Sequence, residues 1–205
     1  PMANELTKAS MLAGSRRIGG EAGAAMARYA ANPKDAEAAA YLSSKPEFIG
    51  QVRTTCVATM LSGGHALNAL PQRATVSVNC RIFPGVSIES VKAELTKVIA
   101  DDSATITTID KPTGSDASPL RKDVTAAVTK AVQARYPGLE ITPNMSAGAT
   151  DSLYFRALGV PSYGVSSLFM KSSDGFAHGL NERVPVDGIA GALGQWDSVL
   201  KAIAK

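Results

Sequence analysis

The residue with the surroundings best suited to chemistry is His178, one of two histidines in 205 residues. It lies between Ala177 and Gly179 in a Gly- and Ser-containing loop. Small neighbours leave an imidazole accessible, which a metal ligand needs and a packed core histidine does not. A surface or capping histidine is the other reading, and the loop by itself leaves both open. His65 sits in the connection between two strand-like runs, three residues before Asn68. In the second run, Arg81 falls on the face opposite Val78 and Cys80, so alternation leaves it as either a solvent-facing or a functional arginine. Gly148, Thr150 and Asp151 open a short helix, with Thr150 or Asp151 as its ordinary N-cap. Cys56 and Cys80 make neither a disulfide framework nor a metal knuckle by spacing. Each falls in an apolar-alternating run, and buried reduced thiols are expected.

These residues need elements to position them. Residues 22–29 and 34–42 have helical spacing, separated by Asn32-Pro33 with Asn32 as a cap and Pro33 at a first helical position. Gly14, Gly19, Gly20 and Gly23 predict short helices rather than one rod. Residues 52–61 and 74–83 are β-branched and alternating, and predict two strands joined by a loop of about nine residues, longer than a tight hairpin turn. Ser87 caps a helix to about Ala100 with Ile88, Val91, Leu95, Val98 and Ile99 in one stripe. Residues 105–109 read as a third strand. Strand, strand, helix, strand is most of a split βαββαβ unit, an antiparallel sheet with helices on one side.

A polar Pro/Gly/Ser linker at residues 111–118 divides the chain into residues 1–111 and 112–205. Beyond it, Ser118 caps a helix from Pro119 to about Tyr136, and residues 139–142 and 161–165 read as short strands. Asp187 caps a last helix with Ile189, Leu193, Trp196, Val199, Leu200 and Ile203 on its apolar face. The fold class is α/β, and two strands are too few for a self-sufficient second sheet.

Bulk composition narrows the function classes. Hydrophobic residues are 45% and charged residues 19%, as in a globular protein. The net charge of +3 is spread along the chain. With few aromatics beside it, neither a phosphate track nor base stacking is suggested, so nucleic acid is not an expected partner. No apolar run approaches a membrane span and no signal peptide is visible at the start, so a soluble protein is expected, with cytoplasm and periplasm both left open as its compartment.

Two long stretches carry a family resemblance. NALPQRATVSVNCRIFPGVSIESV, beginning at Asn68, resembles the lid, or dimerisation, domain of M20 metallopeptidases and amidohydrolases. SAGATDSLYFRALGVPSYGV and FAHGLNERVPV, from Ser146 and Phe176, resemble the end of that family's catalytic domain. The helical first 48 residues resemble an insertion that some bacterial members carry inside the lid. The resemblance implies a ferredoxin-like lid, with its first strand missing, followed by the C-terminal part of a zinc-binding α/β catalytic domain. It also implies two zinc ions in a parent enzyme. The family's His-x-Asp pair, bridging carboxylate and acidic pair are not in this chain, so none of that zinc is expected to be held stably by these residues alone.

Residue by residue, His178 corresponds to the family's last metal ligand. Arg81 corresponds to a lid arginine that grips the substrate's terminal carboxylate, which a forked guanidinium can do with two parallel bonds. Asn68 corresponds to an amide at the same substrate end. The N–H groups at Gly148 and Thr150 would face a carboxylate, as helix starts can. The family's oxyanion-stabilising lid histidine falls in the first lid strand, so His65 is either its counterpart or a loop histidine at the edge of the site. The implied reaction is hydrolysis of an amide or peptide bond in a small carboxylate-bearing substrate, an N-acyl amino acid or short peptide. The implied partners are the remaining catalytic part of the polypeptide and a second copy docking through the lid's sheet edge. The rival reading is a non-catalytic dimerisation or binding module. A mononuclear zinc site built from Cys56, Cys80, His65 and His178 is a third, disfavoured by the strand positions of the cysteines.

Overall fold

The computed structural model describes residues 1–204, with Ser172 described by its backbone only. In chain order the elements are α1 (Glu5–Ile18), α2 (Gly20–Ala31), α3 (Ala36–Ser43), α4 (Pro46–Val52), β1 (Thr55–Gly63), β2 (Ala74–Arg81), α5 (Ile88–Ile99), α6 (Lys122–Arg135), α7 (Ser152–Ala157) and α8 (Gly188–Ile203). Helices and an antiparallel strand pair make a mixed α/β chain. It forms two compact units, one of residues 1–119 and 143–162, the other of residues 120–142 and 163–205.

The core of the first unit is helical. Met11, Met26, Tyr29, Leu42 and Val52 are fully buried together with Ala38 and Ala39, all from α1 to α4. Small residues let these helices approach. A Cβ on Gly23 would lie 2.6 Å from the Ser15 carbonyl oxygen, so α2 crosses α1 at a distance only glycine permits. Gly19, at φ 65°, makes the turn between them. Asn4 caps α1 by accepting from the Thr7 N–H at 2.8 Å and the Thr7 hydroxyl at 3.0 Å, which satisfies a threonine with no exposed surface. The Tyr29 hydroxyl donates to the Met2 carbonyl at 2.6 Å. Asp35 caps α3 and accepts a two-pronged bond from Arg28, whose guanidinium holds the Asp35 carboxyl below its ordinary range.

Val52 closes α4 instead of opening a strand, and the chain turns extended only at Thr55. β1 and β2 pair antiparallel from Thr55↔Arg81 to Gly63↔Ala74. Thr59 is an extra residue in β1, and its hydroxyl donates to the Ser77 carbonyl at 3.2 Å. The expectation of buried, reduced cysteines is corrected here. Cys56 and Cys80 are direct cross-strand partners, joined by a disulfide, with Cys56 exposed. The nine-residue loop leaves register open in the sequence, so a spacing of 24 did not reveal the pair.

Ser87 caps α5 as expected, accepting from the Ser90 N–H at 3.1 Å. The α5 stripe is half-buried at Ile88, Val91 and Leu95 and exposed at Val98 and Ile99. Residues 105–109, 139–142 and 161–165 run without ladder bonds, so the three further strands do not form among the described residues. β-Branched alternation gives an extended preference, but a strand exists only where a neighbouring backbone pairs with it.

In the second unit α6 packs on α8. Val124, Ala127, Ala131 and Val132 of α6 are buried, as are Ala192, Gln195 and Val199 of α8. The period expected for α8 is right, but the buried stripe is rotated. Leu193 is 67% exposed and Leu200 58%, because α8 turns Ala192, Gln195 and Val199 against its neighbours, with Gln195 held by Arg135 and the Ser166 carbonyl. Ser118 does not cap α6, which starts at Lys122. Its hydroxyl instead donates to the Ser162 carbonyl at 2.8 Å and accepts from the Ser162 N–H at 2.9 Å within the first unit.

Candidate functional site

In the second unit the His178 loop hangs from a polar clamp. Arg135, the last residue of α6, donates to the Ser167 carbonyl and to the Gln195 side-chain oxygen, each at 2.8 Å. Gln195, almost wholly buried, donates onward to the Ser166 carbonyl at 2.7 Å. The Trp196 indole N–H donates to the Ser167 hydroxyl at 3.1 Å. The guanidinium carbon of Arg135 also lies 5.1 Å from the Tyr136 ring centre and 5.5 Å from that of Phe169. Gly191 leaves the room this requires, since a Cβ there would sit 2.6 Å from the Arg135 Nη2. Sequence reasoning missed this clamp. Its one visible signal is a glutamine in the apolar first half of α8.

Beyond the clamp, Arg183 ties the loop to itself, pairing with Asp174 at 2.7 Å and stacking 4.6 Å from the Phe176 ring centre. The Gly179 N–H donates back to the Phe176 carbonyl at 2.8 Å. His178 sits at the turn with φ 62°, a left-handed conformation uncommon for a residue with a side chain, and is exposed. A Cβ on Gly179 would stand 3.1 Å from the Phe176 carbonyl oxygen, so a close turn as well as access favours the small neighbour.

The other candidates lie in the first unit. His65 and Asn68 are exposed in the loop at the closed end of the hairpin, after Gly64 at φ 77°. Arg81 is exposed at the open end, opposite Thr55, and its guanidinium has no hydrogen bond or ion pair among the described residues. From Ala74 to Arg81 the strand advances about 23 Å, at roughly 3.3 Å per residue. Arg81 and Asn68 are therefore at opposite ends of the hairpin within one chain.

Residues 144–147 dock on the helical core before Gly148. Met145 is buried against Asn4, whose amide lies 3.6 Å from the sulfur, and Ser10 donates to the Asn144 side-chain oxygen at 3.3 Å. Ala147 meets α4 so closely that a Cβ on Gly50 would be 2.5 Å from the Ala147 Cβ. The Gly148 N–H donates to the Ser146 hydroxyl at 3.0 Å. Asp151, not Thr150, occupies the cap position of α7, with no side-chain cap bond, and α7 has six residues. A helix this short aligns few peptide dipoles.

One cleft in this unit was not foreseen. About 360 Å³ in volume, it is bordered by Ser87, Ser115, Asp116 and Arg156. Arg156 donates from Nε to the Ser115 hydroxyl at 3.2 Å. Among the described residues no three histidine, cysteine, aspartate or glutamate side chains come together to hold a metal ion, and both cysteines are committed to the disulfide. No helix among the described residues is long and apolar enough to cross a membrane.

Residues 21–107 match the M20 peptidase dimerisation domain. The chain carries an M20 dimerisation region. That region runs from α2 through the hairpin and α5, and includes His65, Asn68 and Arg81. The chain is 28% identical over 151 residues to an N-fatty-acyl-amino acid synthase/hydrolase of Danio rerio, covering 71% of this chain and 29% of that protein. It is 31% identical over 140 residues to the Homo sapiens protein of the same name, covering 66% and 28%. Aminoacylase-1 of Mus musculus is 28% identical over 170 residues, covering 80% and 40%. The chain thus spans well under half the length of these M20 relatives. No solved structure matches the chain.

Proposed function

We propose that this chain is the lid and C-terminal portion of an M20-type hydrolase that cleaves the amide bond of a small carboxylate-bearing substrate, an N-acyl amino acid or short peptide. The observation that carries the reading is that relatives alignable over 71% and 72% of this chain are named for N-acyl amino acids. Arg81 supports it from the structure. Its guanidinium is exposed and unpaired among the described residues, and a carboxylate is the partner that a forked donor fits best. In this proposal Arg81 holds the carboxylate end, and Asn68, at the other end of the hairpin, meets the same substrate end only from a second copy of the chain. The Gly148 N–H joins them once it leaves the Ser146 hydroxyl, Thr150 adds a polar edge, and His65 lies at the margin of the site. Residues 1–111 are the lid and residues 112–205 the catalytic portion.

The zinc chemistry of the family does not fit these residues alone. A catalytic zinc takes about three protein ligands, and among the described residues no three such side chains converge, with His178 standing on its own turn. His178 is proposed as a single ligand to a metal whose other ligands come from polypeptide outside these 205 residues. The family's two Zn²⁺ ions are thus assigned to the whole enzyme, and the chain by itself is read as inactive. The match to a dimerisation domain favours a second role in parallel, a homodimer formed through the hairpin edges.

Arg81→Ala in the whole enzyme is the test. KM for carboxylate-bearing substrates should rise by about ten- to a hundredfold, the loss of roughly 1.5–3 kcal/mol expected for a charged hydrogen-bond pair. An unchanged KM would remove the carboxylate assignment.

A further inference from the structure

The hairpin holds two registers at once. From Thr55↔Arg81 to Ala58↔Val78 the partner numbers sum to 136, and from Met60↔Ser77 to Gly63↔Ala74 they sum to 137, with Thr59 taking up the difference. The bulge has a consequence for the faces. Leu61, opposite Val76, joins Cys56, Ala58, Val78 and Cys80 on one face, where an unbulged strand would turn it to the other.

Ordinarily burial of one face fixes register, because a one-residue slip carries apolar side chains into water. Burial supplies little here. Val57, Leu61, Val76 and Val78 are all between 43% and 79% exposed, and the two strands pair only with each other. The long loop does not fix register either. Just beyond the open end the Phe83 N–H donates to the Thr54 hydroxyl at 2.9 Å, between buried Val52 and Phe83, a pairing whose numbers also sum to 137. Within the ladder itself, what holds the 136 register is the covalent bond. The Cys56 and Cys80 Cα atoms are 4.1 Å apart, the spacing of a closely facing antiparallel pair. In the 137 register Cys56 would face Arg81 and Cys80 would face Val57, so the two sulfurs would lie on opposite faces of the ribbon.

We propose that the Cys56–Cys80 disulfide is a thiol-exchange site that locks the Thr59 bulge in place, and that its reduction by a low-molecular-weight thiol releases the bulge through the open end and changes the residue facing Arg81. The chemistry is a two-electron exchange. A thiolate attacks the Cys56 sulfur, the more exposed of the pair, and the Cys80 thiolate leaves and takes a proton. A second thiol then attacks the mixed disulfide, releasing Cys56 as a thiol and the reductant as its own disulfide. On reduction the open end of β1 turns over relative to β2, and Thr55 loses Arg81 as its partner. The inference stands on the hairpin alone and does not depend on the hydrolase reading.

Isotope-labelled chain, compared with and without dithiothreitol by NMR, tests it. The oxidised protein should show a cross-strand Hα–Hα contact between Cys56 and Cys80. The reduced protein should lose it and gain close contacts of Cys56 with Arg81 and of Val57 with Cys80, as should the C56S/C80S double variant. Alkylation before reduction should add no mass, and alkylation after reduction should add two groups. Three results would each overturn the proposal: alkylation of the untreated protein, an unchanged pairing after reduction, or loss of every cross-strand contact, which would make the bond a staple with no second register behind it.

Discussion

Gly191 shows how much one missing methyl group decides. The Arg135 guanidinium lies across it, reaching both Gln195 and the Ser167 carbonyl. Gly191→Ala should push the guanidinium away and leave the buried Gln195 oxygen without its donor. The expected cost is about 1–3 kcal/mol, measured by denaturant unfolding, with greater protease sensitivity in residues 166–183. A shift below a few tenths of a kcal/mol would mean that Arg135 finds the same partners from another rotamer. At this scale the sequence was informative about residue type and silent about company. His178 stood out through its small neighbours, but its left-handed turn and the Arg183–Asp174 brace behind it arise from contacts nine residues apart that no local pattern records. The cysteines read as a pair of isolated thiols for the same reason.

Elements were legible where a local signal defines them and obscure where a partner does. Ser87 starting α5, the glycine-broken helices before residue 32 and the two alternating runs of the hairpin all follow from capping, backbone freedom and period. The three further strands failed because alternation cannot supply a neighbour. The rotated face of α8 is not legible because apolar size predicts burial only on average, while here a hydrogen bond from Arg135 draws the polar Gln195 inward. The segment 144–147 offers a test of positioning by an element it only touches. Gly50→Ala on α4 would bring a methyl group to 2.5 Å from Ala147 and must lift the segment. The α1–α4 cluster is untouched and Met145 is the one buried side chain the segment carries, so the melting temperature should fall by only a few degrees. Amide exchange at residues 145–148 should rise about tenfold, a local loss of roughly 1.4 kcal/mol. Unchanged exchange would show that the segment has another seat.

For the whole molecule, the mixed α/β class and the M20 region were legible from long runs of residues, because such runs average over local ambiguity. The candidate site was legible only as separate pieces. His178 lies in one unit and Arg81, Asn68, Gly148 and Thr150 in the other. The metal expectation belongs to this scale. Purified and dialysed against zinc, the chain should retain well under one equivalent by elemental analysis, and a chelator should leave its melting temperature unchanged, since a metal that binds the folded state would raise it. Stoichiometric zinc with turnover would show that ligands converge in a way the described residues do not.

The first unit is also discontinuous in the order of synthesis. Its helical core is complete once Val52 has emerged, yet Met145, which fills the space beside Asn4, lies 93 residues further on. At about 5–20 residues per second, a ribosome leaves that socket open for roughly 5–20 s. During that interval the seat beside Asn4, Ser10 and Gly50 has no occupant, because residues 144–147 have not yet been made, so the period of greatest exposure to chaperones or to misplaced contacts is set by the length of the intervening hairpin, α5 and α6.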